Sequence, residues 1–169
     1  MTLSMYTASI PAFIRGFNNL SAILTKAESY ATTKKIDPSV LINARLFPDM
    51  FPLSRQVQIA TDVVKGGVAR LAGIEVPSYA DDEATFEQLQ VRITKTIAFI
   101  KTIKPDQING SEDKAITLKV GGNEMNFKGE AYLLNFVIPN MYFHITTTYA
   151  ILRHNGLDIG KGDFLGKIQ

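Results

Sequence analysis

Two histidines and no cysteine occur among the 169 residues, so thiolate nucleophiles, sulfur-ligated zinc and disulfides are excluded together. Any metal would need nitrogen and oxygen ligands. His144 and His154 fall on one predicted helix, about 15 Å apart along its axis and roughly 80° apart around it, and so cannot share an ion. His154 stands near the helix end, where the dipole favours a cation and a structural role suffices. His144 lies inside the most apolar stretch of the chain, and there an imidazole needs a hydrogen-bond partner or a ligand. Asn140, one turn earlier, shares its face. Gln58 and Asp62, one turn apart on another predicted helix, flank the stripe of Val57, Ala60 and Val64 and are expected to face Asn140 and His144. Such a cluster is either a buried hydrogen-bond network that fixes helix register, or a metal or small-molecule site between helices. Residue types favour the network, because a lone imidazole holds zinc-like ions poorly and amides are weak ligands.

Other chemistries find no footing. Gly160-Lys-Gly-Asp-Phe-Leu-Gly166 has one residue too many for a dinucleotide loop and follows a helix rather than a strand. Gly156 and Gly160-Lys161 are one residue too close for a phosphate-binding P-loop, and no Ser or Thr follows the lysine. No Gly-x-Ser-x-Gly elbow and no His-Glu-x-x-His pair is present, and no carboxylate pair is singled out by spacing.

The elements that must position His144 follow from the apolar period. Ile10, Phe13, Phe17, Leu20, Leu24 and Ala27 predict a first helix over roughly 2–33, kinked or restarted at Pro11. Between 34 and 52, three prolines and a set of apolar residues predict a packed connection with one short helix. A second long helix runs from about Pro52, at its first turn, to Leu71, and Gly73 stops it. Asp81, Asp82 and Glu83 are expected at the N-terminus of the third, whose stripe is Phe86, Leu89, Ile93, Ile97 and Ile100. Gly121-Gly122 between alternating segments predicts a β-hairpin. The last helix is expected from about Gly129 to His154, bent by Pro139 and ended by Asn155-Gly156 in a left-handed cap. Ile159, Phe164, Leu165 and Ile168 suggest a tail that wraps back onto the helices or onto a second subunit.

With 46% hydrophobic residues, one domain over 1–169 can bury its own core. The reading is an all-α, up-down four-helix bundle with the small hairpin inserted before the last long helix. A net charge of +2, from 18 basic and 16 acidic residues, offers no field to gather a phosphate backbone, so no nucleic acid partner is expected. Between Ala131 and Leu152 no charged residue occurs. Asn135, Pro139, Asn140, His144 and three threonines in that stretch argue for a protein interior or a subunit interface rather than a membrane. No secretory signal pattern begins the chain, and the lack of cysteine suits a reducing, cytoplasmic setting.

The run His144-Ile-Thr-Thr-Thr-Tyr-Ala-Ile-Leu-Arg-His-Asn-Gly156 resembles the last-helix signature of the DinB/YfiT-like superfamily, in its opening histidine, Leu152-Arg153 and closing glycine. Together with Met-Phe-Pro-Leu-Ser-Arg-Gln-Val-Gln-Ile-Ala from Met50, it resembles the branch called domain of unknown function nineteen-ninety-three. That resemblance implies a helical bundle, commonly a homodimer. In metal-binding members it implies a divalent ion held by three histidines, at positions that fall at or near Gln58, at Asn140 and at His144. Two of the three are amides here, so no tightly bound transition metal is expected: either metal affinity falls severely, or a different oxygen-rich site using Asp62 forms, or the polar pocket binds a small organic molecule. The alternative is a divalent-metal- or thiol-dependent transferase or hydrolase acting on a small electrophile, with His144 as ligand or base.

Overall fold

The computed structural model describes residues 3–167 and is mostly helical, with one two-stranded antiparallel sheet. Helix α1 spans Met5–Lys34. Ser4 caps it: the hydroxyl accepts from the Thr7 amide while the Ser4 amide donates to Thr7 Oγ1, satisfying two orphan donors of the first turn. The helix runs through Pro11 as one element, so of the expected kink or restart the restart does not occur. Asp37 caps the short helix α2, Pro38–Ile42, which buries Leu41 and Ile42. Helix α3 spans Leu53–Ala72, with Pro52 one place outside it as N-cap and Gly73 at φ 72° ending it in the left-handed region.

Helix α4, Phe86–Lys101, departs from expectation at its start. Asp81, Asp82 and Glu83 do not form its N-terminus. A capping box of Thr85 and Gln88 does, and Glu87 is the acid of the first turn. After a single turn α5, Pro105–Ile108, strands β1 (Ala115–Val120) and β2 (Asn123–Lys128) pair from Ala115↔Lys128 to Val120↔Asn123. Gly121 and Gly122, at φ 58° and 84°, supply the two positive dihedrals that a tight hairpin turn demands.

The expected last helix is three segments: α6 (Gly129–Tyr132), a π turn (Leu133–Val137) and α7 (Ile138–His154). Pro139 brings no amide hydrogen, and the wider turn just before it takes up the mismatch, with the Ile138 amide reaching back to the Leu133 carbonyl. At the far end Gly156, at φ 91°, closes a Schellman motif: its amide donates to Arg153, and that of Leu157 to Leu152. The tail turns back as α8, Lys161–Leu165, along α1. Asn19 donates to the Phe164 carbonyl, and Lys26 pairs with Asp163 at 2.6 Å. Ile168 lies outside the described residues.

Helix α3 is the centre of the molecule. It packs on α7 along one side and on α4 along another, while α1 covers α4 and α7. Phe13, Phe17, Leu20, Val57, Val64, Leu89, Met141 and Leu152 are sealed between them, each large side chain contributing roughly 2 to 3 kcal/mol by leaving water. Gln56 and Gly67, eleven residues or three turns apart, fall on the face of α3 toward α7. Gly67 allows the close approach, since a Cβ there would stand 2.7 Å from a methyl of Val137. No helix of the described residues is long and apolar enough to cross a membrane.

Candidate functional site

His144 is 8% exposed, and its Nδ1 lies 2.7 Å from Oε1 of Gln56. The other end of that amide is fixed too, because Gln56 Nε2 donates to the Phe51 carbonyl at 3.0 Å. The backbone carbonyl therefore sets which way the amide points, and the amide sets the imidazole. Facing an acceptor, Nδ1 must carry the proton, which leaves a lone pair on Nε2. The ring of Phe143 meets that of His144 edge-on, with centroids 5.2 Å apart. Burial, reinforced by the charge of Arg55, pushes the His144 pKa down to about 4. The imidazole is thus neutral at physiological pH.

The residues expected around His144 go elsewhere. Asn140 donates back to the Phe136 carbonyl at 2.7 Å, one turn earlier in the π turn. Gln58 accepts from Arg55 at 3.1 Å and donates to Glu83 at 3.0 Å. Asp62 pairs with Lys65 at 2.8 Å and with Arg92 at 2.7 Å. The helical period explains this. Gln58 lies two residues from Gln56, about 200° around α3, so the amide that meets His144 cannot be accompanied there by Gln58 or Asp62.

Gln58 and Asp62 belong instead to a second polar centre, between α3 and α4. Arg92, its side chain 1% exposed, donates to Thr61 Oγ1 at 2.6 Å and to both Glu83 oxygens at 2.9 and 3.0 Å. Its Nη2 also stands 2.8 Å from Asp81 Oδ1, a contact of charge without an aligned N–H. Burial works against the charge of Arg92, but Glu83, Asp62 and Asp81 outweigh it and hold the pKa above its ordinary value. Burial likewise works against the Asp81 carboxylate, and Arg55 and Arg92 together overcome it and bring the pKa down. Sequence reasoning missed Gln56 and Arg92. Arg92 carried a signal: it stands between Leu89 and Ile93 on the apolar stripe of its helix, where an arginine must be partnered.

These residues do not fit a metal. Among the described residues no group of three or more His, Cys, Asp or Glu gathers where it could hold an ion. Nδ1 of His144 is committed to Gln56, and the amides of Gln58 and Asn140 are already bonded. Nε2, without the proton, keeps its lone pair. The sealed polar atoms without a hydrogen-bond partner among the described residues are Tyr79 Oη, Asp81 Oδ1 and Ser111 Oγ.

Comparison with known proteins agrees with this architecture. The sequence pattern of a domain of unknown function, DUF1993, matches residues 5–165. A crystal structure of a DinB family member protein from Shewanella denitrificans superimposes with a TM-score of 0.86 at 39% sequence identity, covering 96% of this chain and 92% of that one. No curated protein matches.

Proposed function

The chain belongs to the DUF1993 family of DinB-like proteins, and on that premise we propose that it is an up-down four-helix bundle that binds a small neutral molecule at a degenerate metal centre, without a tightly held transition metal. The observation that carries this reading is the relay from the Phe51 carbonyl through Gln56 to His144. It spends one imidazole nitrogen on protein and presents the other as a hydrogen-bond acceptor. A ligand suited to Nε2 brings a hydroxyl, amide or amine hydrogen, and no charge to bury.

Thiol chemistry driven by His144 alone is poorly supported. A thiol has a pKa of about 8.5, and an imidazole whose conjugate acid titrates near 4 takes up its proton only against a steep gradient. The same low basicity costs a hydrogen-bond acceptor far less.

Pairing of two chains belongs to this proposal. Phe47 and Phe143 are 63% and 56% exposed, and Leu46, Pro139, Tyr142, Phe143 and Ala150 line a shallow apolar groove beside the helix that carries His144.

Metal analysis of protein purified without added metal, and again after incubation with zinc or manganese and gel filtration, tests the central point. The expected result is an ion content far below one per chain in both samples, with nitrogen NMR showing the proton of His144 on Nδ1. One ion per chain, lost in His144→Ala, would overturn the reading.

A further inference from the structure

Between Gly73 and Thr85 the chain crosses from α3 to α4 with no helix, no strand and no buried residue. The other connections are pinned by apolar side chains: Leu41 and Ile42, Ile103 and Ile108, Leu157 and Ile159 are all buried. This strap is fastened by charge. Asp81 accepts from Arg55 at 2.6 Å and stands against Arg92. Glu83 takes two hydrogen bonds from Arg92 and one from Gln58. The ring of Tyr79 receives the ammonium groups of Lys65 and Lys95, 3.7 and 4.3 Å from its centroid. Asp81 lies in the left-handed region, at φ 58°, a conformation that aspartate adopts more readily than most residues with a side chain.

The floor beneath the strap is unbalanced without it. Helices α3 and α4 contribute Arg55, Lys65, Arg92 and Lys95, with Asp62 as the carboxylate among them. Glu87 lines a cleft of about 500 Å³ between the strap and α4, together with Tyr79, Asp82, Glu83, Val91, Arg92 and Lys95. Four cations against the two carboxylates of these helices, Asp62 and Glu87, leave a surplus of positive charge. Two guanidinium groups and the Gln58 amide hydrogen supply directed donors of the kind that bind carboxylate or phosphate oxygens. Lifting the strap exposes no sealed apolar side chain of its own, and water then solvates what the carboxylates release. Opening of this segment therefore lies on the low-free-energy side of the fold's local motions.

We propose that Arg55, Arg92 and Gln58, backed by Lys65 and Lys95, form a binding site for a small molecule bearing a phosphate or carboxylate group, and that Asp81 and Glu83 of the strap occupy it as tethered stand-ins until such an anion displaces them. The site lies on the α4 side of α3; the charge of Arg55 also reaches His144, but the site does not depend on the function proposed for that residue.

Because the chain has no cysteine, Ser78→Cys carries a single spin label on an exposed position of the strap. The label is titrated with sodium chloride, sodium phosphate and sodium succinate at matched ionic strength. The site predicts that phosphate or succinate raises the mobile fraction well beyond chloride, while the helical circular dichroism stays unchanged. Phosphate alone acting identifies a phosphoryl ligand; succinate alone identifies a carboxylate. In the Asp81→Asn, Glu83→Gln variant, where the tethered competitor is weakened, calorimetry is expected to show the effective anion binding on the order of tenfold more tightly than to the parent chain. Equal effects of all three salts would mean screening only and would overturn the site, as would mobility that rises only with loss of helix. Should the double variant fail to fold, the titration of the labelled parent chain decides alone.

Discussion

A neutral histidine in a protein interior is a proton acceptor that folding has switched off, and the cost returns under acid. In the unfolded chain His144 titrates near 6.5, but in the fold only near 4. Above 6.5 neither state binds the proton and the residue contributes no pH dependence. As the pH falls through 6.5 toward 4 the unfolded state alone becomes charged, so stability declines, by about 3 kcal/mol in total. Asp81 acts in the opposite sense and lower down: its depressed pKa gives stability that is present above the ordinary carboxylate value of 3.8 and is lost as the pH falls through the folded value. Urea unfolding from pH 7.5 to 4 is thus expected to lose stability in a window where Asp81 is silent, and His144→Leu is expected to flatten that window. An unchanged slope in the variant would show that the imidazole is not held neutral. At pH 7.5 His144→Leu leaves Gln56 Oε1 unpaired and is expected to cost about 1 to 3 kcal/mol. Adding Gln56→Leu should cost less than the sum of the single changes, since both partners are then apolar.

Helix α3 lies close to the π turn that leads into α7 because Gly67 lets it, and this makes a substitution of opposite sign from the one helix propensity suggests. An alanine for an exposed helical glycine gains about 1 kcal/mol. Here the new Cβ would meet two methyl carbons of Val137 at 2.7 and 2.8 Å, and overpacking of this kind costs about 1 to 3 kcal/mol. Gly67→Ala is expected to destabilise, and Val137→Ala in the same chain to restore part of the loss, measured as a favourable coupling in a double-mutant cycle. An additive pair would show that the two helices do not bear on one another there. Elements with local signatures were legible: Gly73 and Gly156 as helix stops, and Gly121-Gly122 as a hairpin turn, because each states a backbone dihedral through residue type. The face of α3 was not legible. A helix buried on two sides has polar residues on both, and periodicity gives no reason to match His144 with Gln56 rather than Gln58. The acids before α4 misled for a related reason. A helix dipole and a buried arginine both attract carboxylates, and only the fold reveals that Arg92 on the apolar stripe wins Asp81 and Glu83. The π turn had no signal beyond Pro139 itself.

At the scale of the molecule, α7 has too little to hide behind. The stretch from Ala131 to Leu152, from α6 through the π turn into α7, carries no charge, yet Leu134 and Phe143 are exposed on it, and Phe47 and Phe51 stand exposed on the connection that also supplies the carbonyl holding Gln56. An uncharged helix with aromatic residues facing water is stabilised by anything that covers it, and a second copy is the partner always present at the chain's own concentration. If that is the cover, apparent stability must rise with protein concentration, because the dimer binds the native state alone. Light scattering is expected to give twice the chain mass, and the melting temperature to climb over a hundredfold range of concentration. Phe143→Lys is the sharper instrument: its side chain is more than half exposed, so the change removes apolar contact surface and sets two like charges near one another across a symmetric seam. The variant should have the single-chain mass, with a lower melting temperature that no longer depends on concentration. Its His144 should still carry the Nδ1 proton, since Gln56 and Phe51 reach that ring from α3's side within the same chain. A parent chain that scatters as a monomer at all concentrations would leave this apolar face without a second copy to explain it.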